Sequence, residues 1–181
     1  MIVKVLMLLV CLQFANVDSC NVRPRKTCEA GWTKFDRVIV EWCFMYYIYP
    51  NMNKTTAENI CAGLGAEISS IDNMEMKNLF STVMSSYLES VAWVGIALKP
   101  ECNCGADSCL YVPGCGSGGY YWTDKYTYPN DLLDYVSGVN ETSTGSNVVP
   151  FDSGLLISGE FHAVWSTDAI EGGVFCGKEA T

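Results

Sequence analysis

Ten cysteines and a single histidine are the residues of this 181-residue chain with the most chemistry to offer. Cys11 lies in an apolar leader, which leaves nine: Cys20, Cys28, Cys43, Cys61, Cys102, Cys104, Cys109, Cys115 and Cys176. An odd number leaves one thiol free or bonded to another chain. Cys20, beside Arg23, Arg25 and Lys26, is the candidate for a disulfide-linked dimer. Thiolates also bind zinc, but Cys102, Cys104, Cys109 and Cys115 are separated by one, four and five residues. They lack the paired C-x2-C of most zinc knuckles, so disulfides are expected there. His162 is the one imidazole that could act as a general base near neutral pH. It sits between Phe161 and Ala163 in a strand-like pattern, and no G-x-S-x-G or H-E-x-x-H occurs in the chain. No cysteine is left to be a nucleophile when nearly all should be paired. A secreted hydrolase using His162 is the alternative these residues allow, and the expectation is that the chain is not an enzyme.

The redox compartment follows from the N-terminus. Lys4, the apolar run Val5 to Leu12 and a small residue at Ser19 read as a secretory signal peptide over residues 1–19. The run is shorter than the ~20 apolar residues that span a bilayer. An N-terminal segment, 20–27, and one folded domain, 28–181, would follow. Cleavage removes one of 11 basic and one of 20 acidic residues, so the net charge stays at −9. That balance argues against nucleic acid and anionic membrane surfaces as partners. The expected protein is secreted, extracellular and disulfide-bonded. Sequons at Asn53-Lys54-Thr55 and Asn140-Glu141-Thr142 make it a candidate glycoprotein.

The elements that must carry these groups are organised around Val91 to Leu98, VAWVGIAL, which reads as a core strand. Gly95 within it marks a close approach of backbone or a large side chain. Before it, Val38, Val40 and Trp42 alternate as a half-buried strand would, and aromatics up to Tyr49 suit an adjoining strand ended by Pro50. Cys28 and Cys43 are placed to clip a hairpin there. A helix capped by Thr55 or Thr56 buries Ala57, Ile60, Cys61 and Leu64, and Gly63 and Gly65 stop it. A second helix is capped by Asp72 with Glu75 in a capping box. It carries a stripe of Met76, Leu79, Phe80, Val83, Met84, Tyr87 and Leu88. After a glycine- and cysteine-rich segment, strands are expected at Tyr120 to Asp124, Leu155 to Ile157, Phe161 to Trp165 and Gly173 to Cys176. Residues 125–150 show no period, and a loop that long in a compact domain is usually functional.

In this order the residues spell a pattern. Gly31-Trp32 lies between Cys28 and Cys43, and a helix bears Cys61. Trp93-Val94-Gly95-Ile96 is followed by Trp122-Thr123-Asp124, and Trp165 and Asp168 precede Val174-Phe175-Cys176. From Cys28 to about Glu179 the chain resembles a C-type lectin-like domain in its long form. The resemblance implies an α+β fold: two helices packed on small antiparallel sheets, a long irregular loop region, and disulfides Cys28–Cys43 and Cys61–Cys176. A further family disulfide is missing, because one expected position holds Gly154 and there is no cysteine near Ile170 for the other.

The resemblance also implies a site. Family members hold calcium, and through it sugar, with an E-P-N or Q-P-D motif in the long loop and a W-N-D motif after it. Calcium takes 6–8 oxygen ligands and sugar hydroxyls complete that shell, so the side-chain set is not negotiable one residue at a time. Here the later motif reads Trp165-Ser166-Thr167-Asp168. Tyr128-Pro129-Asn130 lacks the acid and comes early, and Val139-Asn140-Glu141 lacks the proline. The ligand-binding candidates are Asn140, Glu141, Asn147, Asp152, Trp165 and Asp168. Tyr126, Tyr128, Tyr135 and Phe151 could add apolar contact area. The expected function is a secreted recognition module that binds glycan or protein through the long-loop face. Its calcium site would be degenerate or absent. The alternative is a calcium-dependent lectin with substituted ligands. No cofactor is expected, with Ca2+ possible.

Overall fold

A computed structural model describes residues 25–102, 119–127, 132–133 and 152–181. The signal peptide, Cys20, Cys104, Cys109, Cys115, Asn140, Glu141, Asn147, Tyr128, Tyr135 and Phe151 lie outside the described residues. Within them the elements run β1 (Thr33–Asp36), β2 (Glu41–Met52), α1 (Lys54–Gly63), β3 (Glu67–Ile68), α2 (Met74–Ser86) and β4 (Val91–Leu98). They continue with β5 (Tyr120–Trp122), β6 (Ser153–Ile157), β7 (Glu160–Val164) and β8 (Ile170–Glu179). The strands pair in the order β1-β2-β8-β4-β6-β7, with β3 on β8 and β5 on β4. Among the described strands only β4 and β8 pair in parallel, through Ala92↔Gly173 and Trp93↔Val174.

Strand period sorts β4 between two cores. Ala92, Val94, Ile96 and Leu98 face one, with Phe44, Phe80, Phe175, Trp122, Phe161 and Leu156. Trp93 faces the other, with Met52, Cys61, Leu155, Val174 and Cys176, and α1 covers that side. The fully buried Trp93 donates its indole N–H to the Met52 carbonyl at 2.9 Å, so a large ring is buried without an unsatisfied polar atom. On the first side α2 inserts Met76, Phe80 and Met84. The Phe80 ring stacks on Phe175 with centroids 3.7 Å apart.

Both implied disulfides are present. Cys28–Cys43 closes the N-terminal hairpin and Cys61–Cys176 joins α1 to β8, across 115 residues. In the chain-entropy treatment the longer bridge contributes up to about 4–5 kcal/mol. Cys102 is also disulfide-bonded. Gly95 sits where the strand expectation placed a close approach. A Cβ there would lie 2.6 Å from Ser70 Oγ, 2.7 Å from Thr123 Oγ1 and 2.8 Å from the Ile68 carbonyl.

Several expected boundaries shift. Residues 37–40 form the turn between β1 and β2 rather than a strand, and Val38 and Ile39 stand exposed at its tip. Pro50 does not end β2, which continues to Met52 through an irregularity in its pairing with β8. Asn53, not Thr55 or Thr56, caps α1, accepting from the Thr56 N–H at 2.9 Å. Asn73, not Asp72, caps α2, and Asp72 turns to the Val38 N–H instead. Both caps are the asparagine whose short amide reaches the third N–H of the new helix. The α2 stripe also ends early. Tyr87 and Leu88 follow the helix and are exposed, Leu88 with φ +61°.

The turn at 37–40 has a physical cause. Arg37 turns inward and is buried under a polar network. Its guanidinium donates to Asp124 Oδ2 at 2.9 Å, Thr127 Oγ1 at 3.0 Å, Ser69 Oγ at 3.1 Å and the Ser70 carbonyl at 2.6 Å. It lies 4.0 Å from the centroid of the Trp42 ring. Asp124 in turn accepts from the N–H groups of Ser70 and Tyr126 and from the Thr127 hydroxyl. Burial raises the Asp124 carboxyl, but Arg37 and these donors outweigh it and hold the pKa below the usual range.

Two outcomes are expected. Gly95→Ala should lower stability by about 1–3 kcal/mol through overpacking, read by urea denaturation. A variant as stable as the parent would show the approach is looser than described. Asp124→Asn should cost about 3–5 kcal/mol at neutral pH, because it leaves Arg37 buried without its counter-charge. Folding lowers the Asp124 pKa, so its contribution is complete above about pH 4 and is withdrawn as pH falls through the lowered folded value. Melting temperatures from pH 7 to 2 should therefore fall less steeply at the acid end in Asp124→Asn than in the parent.

Candidate functional site

Three chain segments meet where β4 gives way to the residues before β6. Ala97 of β4 pairs with Ser153 of β6, and the Leu98 N–H bonds the Asp152 carbonyl at 3.2 Å. The turn between β7 and β8 then brings Ser166 onto Asp152. Its backbone N–H donates to Oδ1 at 2.5 Å and its hydroxyl to Oδ2 at 2.6 Å. Such charge-assisted contacts are roughly twice as strong as neutral ones. The N-terminus of α1 closes the third side. The Lys54 N–H bonds the Ser166 carbonyl at 3.1 Å, and its ammonium reaches the Ile96 carbonyl at 3.5 Å.

The electrostatics are local. Burial pulls the Lys54 pKa down, while the carboxylates of Glu58 and Asp152 push it back up. Burial, with the Asp152 charge second, pushes the Tyr120 phenol up to about 12. Lys54 thus supplies a positive charge to a cluster whose one central carboxylate is already bonded through both oxygens.

Of the candidates read from sequence, Asp152, Trp165 and Asp168 fall among the described residues. Asp152 and the turn bearing Trp165 meet through Ser166. Asp168 does not join them: its carboxylate accepts from the Trp165 N–H at 3.1 Å, closing its own turn at the surface. Trp165 is half-buried rather than a core residue. Tyr126 leaves the expected face altogether. Its ring packs 5.5 Å from Trp42 and lines an open groove of about 530 Å³ with Glu67, Lys125, Lys178 and Glu179. His162 is half-exposed on β7, with its Nε2 4.0 Å from the carboxylate of exposed Glu160, a surface pair two residues apart on the same strand. Asn53 uses its side-chain oxygen to cap α1. Sequence reading missed Lys54 and Ser166. Lys54 was visible only as the middle of a sequon, and Ser166 as the residue where the family's motif has asparagine.

The described donors do not fit calcium. Asp152 has no uncommitted oxygen, Asp168 is turned onto a backbone N–H, and a hydroxyl at Ser166 acts as donor where an amide oxygen would coordinate. Among the described residues no three acidic, histidine or cysteine side chains are grouped to hold a metal ion.

No protein-family model and no curated protein matches the chain. Solved structures do. A calcium-independent type II antifreeze protein is 17% identical, with TM-score 0.55, covering 88% of this chain and 99% of that one. The cow C-type carbohydrate-recognition domain of CD23, solved in the presence of a GlcNAc2Man3 oligosaccharide, is 15% identical with TM-score 0.53, covering 87% and 99%. Human lithostathine is 12% identical with TM-score 0.55, covering 84% and 91%. Two helices on a mixed sheet, the Cys61–Cys176 bridge joining α1 to β8 and this set of neighbours agree, and the chain has the C-type lectin-like fold.

Proposed function

We propose that this chain is a secreted recognition module that binds glycan or protein ligands through its long-loop face without calcium. The observation that carries the reading is the clamp at the base of that face. Both oxygens of Asp152 are held by Ser166, and Lys54, whose backbone N–H bonds the Ser166 carbonyl, adds a positive charge that interacts with Asp152. A divalent ion would have to displace two short hydrogen bonds and face a like charge. The calcium-independent antifreeze neighbour supports the reading only in that the fold accommodates such a mode. The disulfides fit an oxidising compartment. The half-buried Trp165 ring on the same turn supplies apolar contact area at the ligand face. His162, paired only with a surface carboxylate at 4.0 Å, supports no hydrolytic reading.

The test is thermal unfolding and ligand retention with and without calcium. A ligand present at a hundred times its dissociation constant stabilises by about 2.7 kcal/mol, a shift no melting curve would hide. Millimolar calcium and chelator should give superimposable melts. Retention on immobilised glycans or on an extracellular protein array should survive chelator. A saturable rise in melting temperature with calcium would overturn the proposal in favour of a lectin with substituted ligands. Asp152→Ala should lower stability by about 1–3 kcal/mol, since it leaves the donors of Ser166 without their acceptor.

A further inference from the structure

Asn53-Lys54-Thr55 is the one sequon among the described residues, and it straddles the start of α1. Asn53 is the residue that caps that helix, with extended backbone at φ −90° and ψ 172°. Its amide is used at one end only. Oδ1 accepts from the Thr56 N–H and from the Thr56 hydroxyl, both at 2.9 Å. Nδ2 makes no hydrogen bond among the described residues and is not sealed from solvent. Capping requires the oxygen of the amide, and N-glycosylation requires its nitrogen. An Asn53 modified at Nδ2 is a secondary amide whose carbonyl oxygen still accepts from Thr56.

The surroundings leave room for a sugar. Asn51 before the cap is exposed, as are Thr55, Glu58 and Asn59 on the outward side of α1, while Ala57 and Cys61 are buried on the other. The Thr55 hydroxyl, which completes the sequon, makes no hydrogen bond among the described residues, so the fold places no demand on it. The position also borders the face described above. The Lys54 N–H bonds the Ser166 carbonyl at 3.1 Å, on the turn that bears Trp165.

We propose that Asn53 carries an N-linked oligosaccharide on Nδ2, rooted at the α1 border of the ligand face, while Oδ1 goes on capping the helix. This rests on the secretory route of the reading above, because the donor is a lipid-diphosphate-linked oligosaccharide met on that route. In the transfer, Nδ2 forms a bond to the anomeric carbon of the sugar and gives up one proton. The bond from that carbon to the diphosphate oxygen breaks, and the lipid diphosphate leaves with the electron pair. No redox change is involved.

The full chain with its leader, expressed in a glycosylating cell line, tests this by mass mapping of the peptide that contains position 53. The peptide is read after treatment with peptide N-glycosidase in heavy-oxygen water, which leaves a labelled aspartate wherever a glycan was attached. Label at position 53 in the parent and in Thr55→Ser, with unlabelled asparagine in Thr55→Ala, supports the proposal. A chain that is secreted with bare asparagine there overturns the glycan and leaves the secretory reading standing. A chain retained inside the cell with its leader uncut overturns both. The cap has its own readout. Asn53→Asp and Asn53→Gln both lack the sequon, so they compare caps at equal glycosylation. Aspartate caps about as well as asparagine, and the longer glutamine is not a capping residue. Asn53→Gln should therefore melt below Asn53→Asp, and equal melting temperatures overturn the division of the amide between cap and glycan.

Discussion

Two opposite charges with no solvent exposure, Arg37 and Asp124, stand at the junction of three segments distant in sequence. Removing such charges from water is expensive, and their mutual attraction returns that energy only when the remaining donors and acceptors are matched. Here most of them are. Ser69, Ser70 and Thr127 take or supply the other bonds and the Trp42 ring lies against the guanidinium, while the Arg37 Nε stays buried without a hydrogen-bond partner among the described residues. The Trp42 indole N–H joins the network through Ser69 Oγ at 3.0 Å. The pair fixes the tip of the β1–β2 hairpin, the residues between β3 and α2, and the exit from β5. Because the last of these leads into the long-loop region, the geometry with which that region leaves the core depends on a charge in the N-terminal hairpin.

This dependence explains what the sequence could and could not disclose. The strand at Val91–Leu98 and the hairpin of β6 and β7 were legible because their signals are local. They are a short apolar run in one case and a Ser-Gly turn between alternating residues in the other. The turn has φ of 49° and 86°, the handedness that suits a two-residue hairpin. Arg37 was not legible. Its partner lies 87 residues away, and the surrounding Val38, Ile39 and Val40 imitate a strand. The same distance problem hid Lys54, whose role appears only when β6 and the β7–β8 turn are folded against α1. Asp72 was mistaken for a cap because it and Asn73 are equally good capping residues, and hydrogen bonding to the hairpin decided between them.

The pole around Asp152 shows how one fold can keep a loop base in place by two different means. An ion gathers carboxylates and amides by neutralising them together. In this chain the hydroxyl and backbone N–H of Ser166 hold Asp152, and Asp152 keeps its place as the centre.

The missing bridge near this pole has a further meaning. A Cβ placed on Gly154 would fall 2.9 Å from the side chain of Ile96, which fills the room a cysteine would need, and Ile170 is paired with Met52 across the sheet. Two cysteines alone would therefore not restore the bond, because a smaller residue at position 96 has to come with them. The packing of one isoleucine thus closes the place where that cross-link would start.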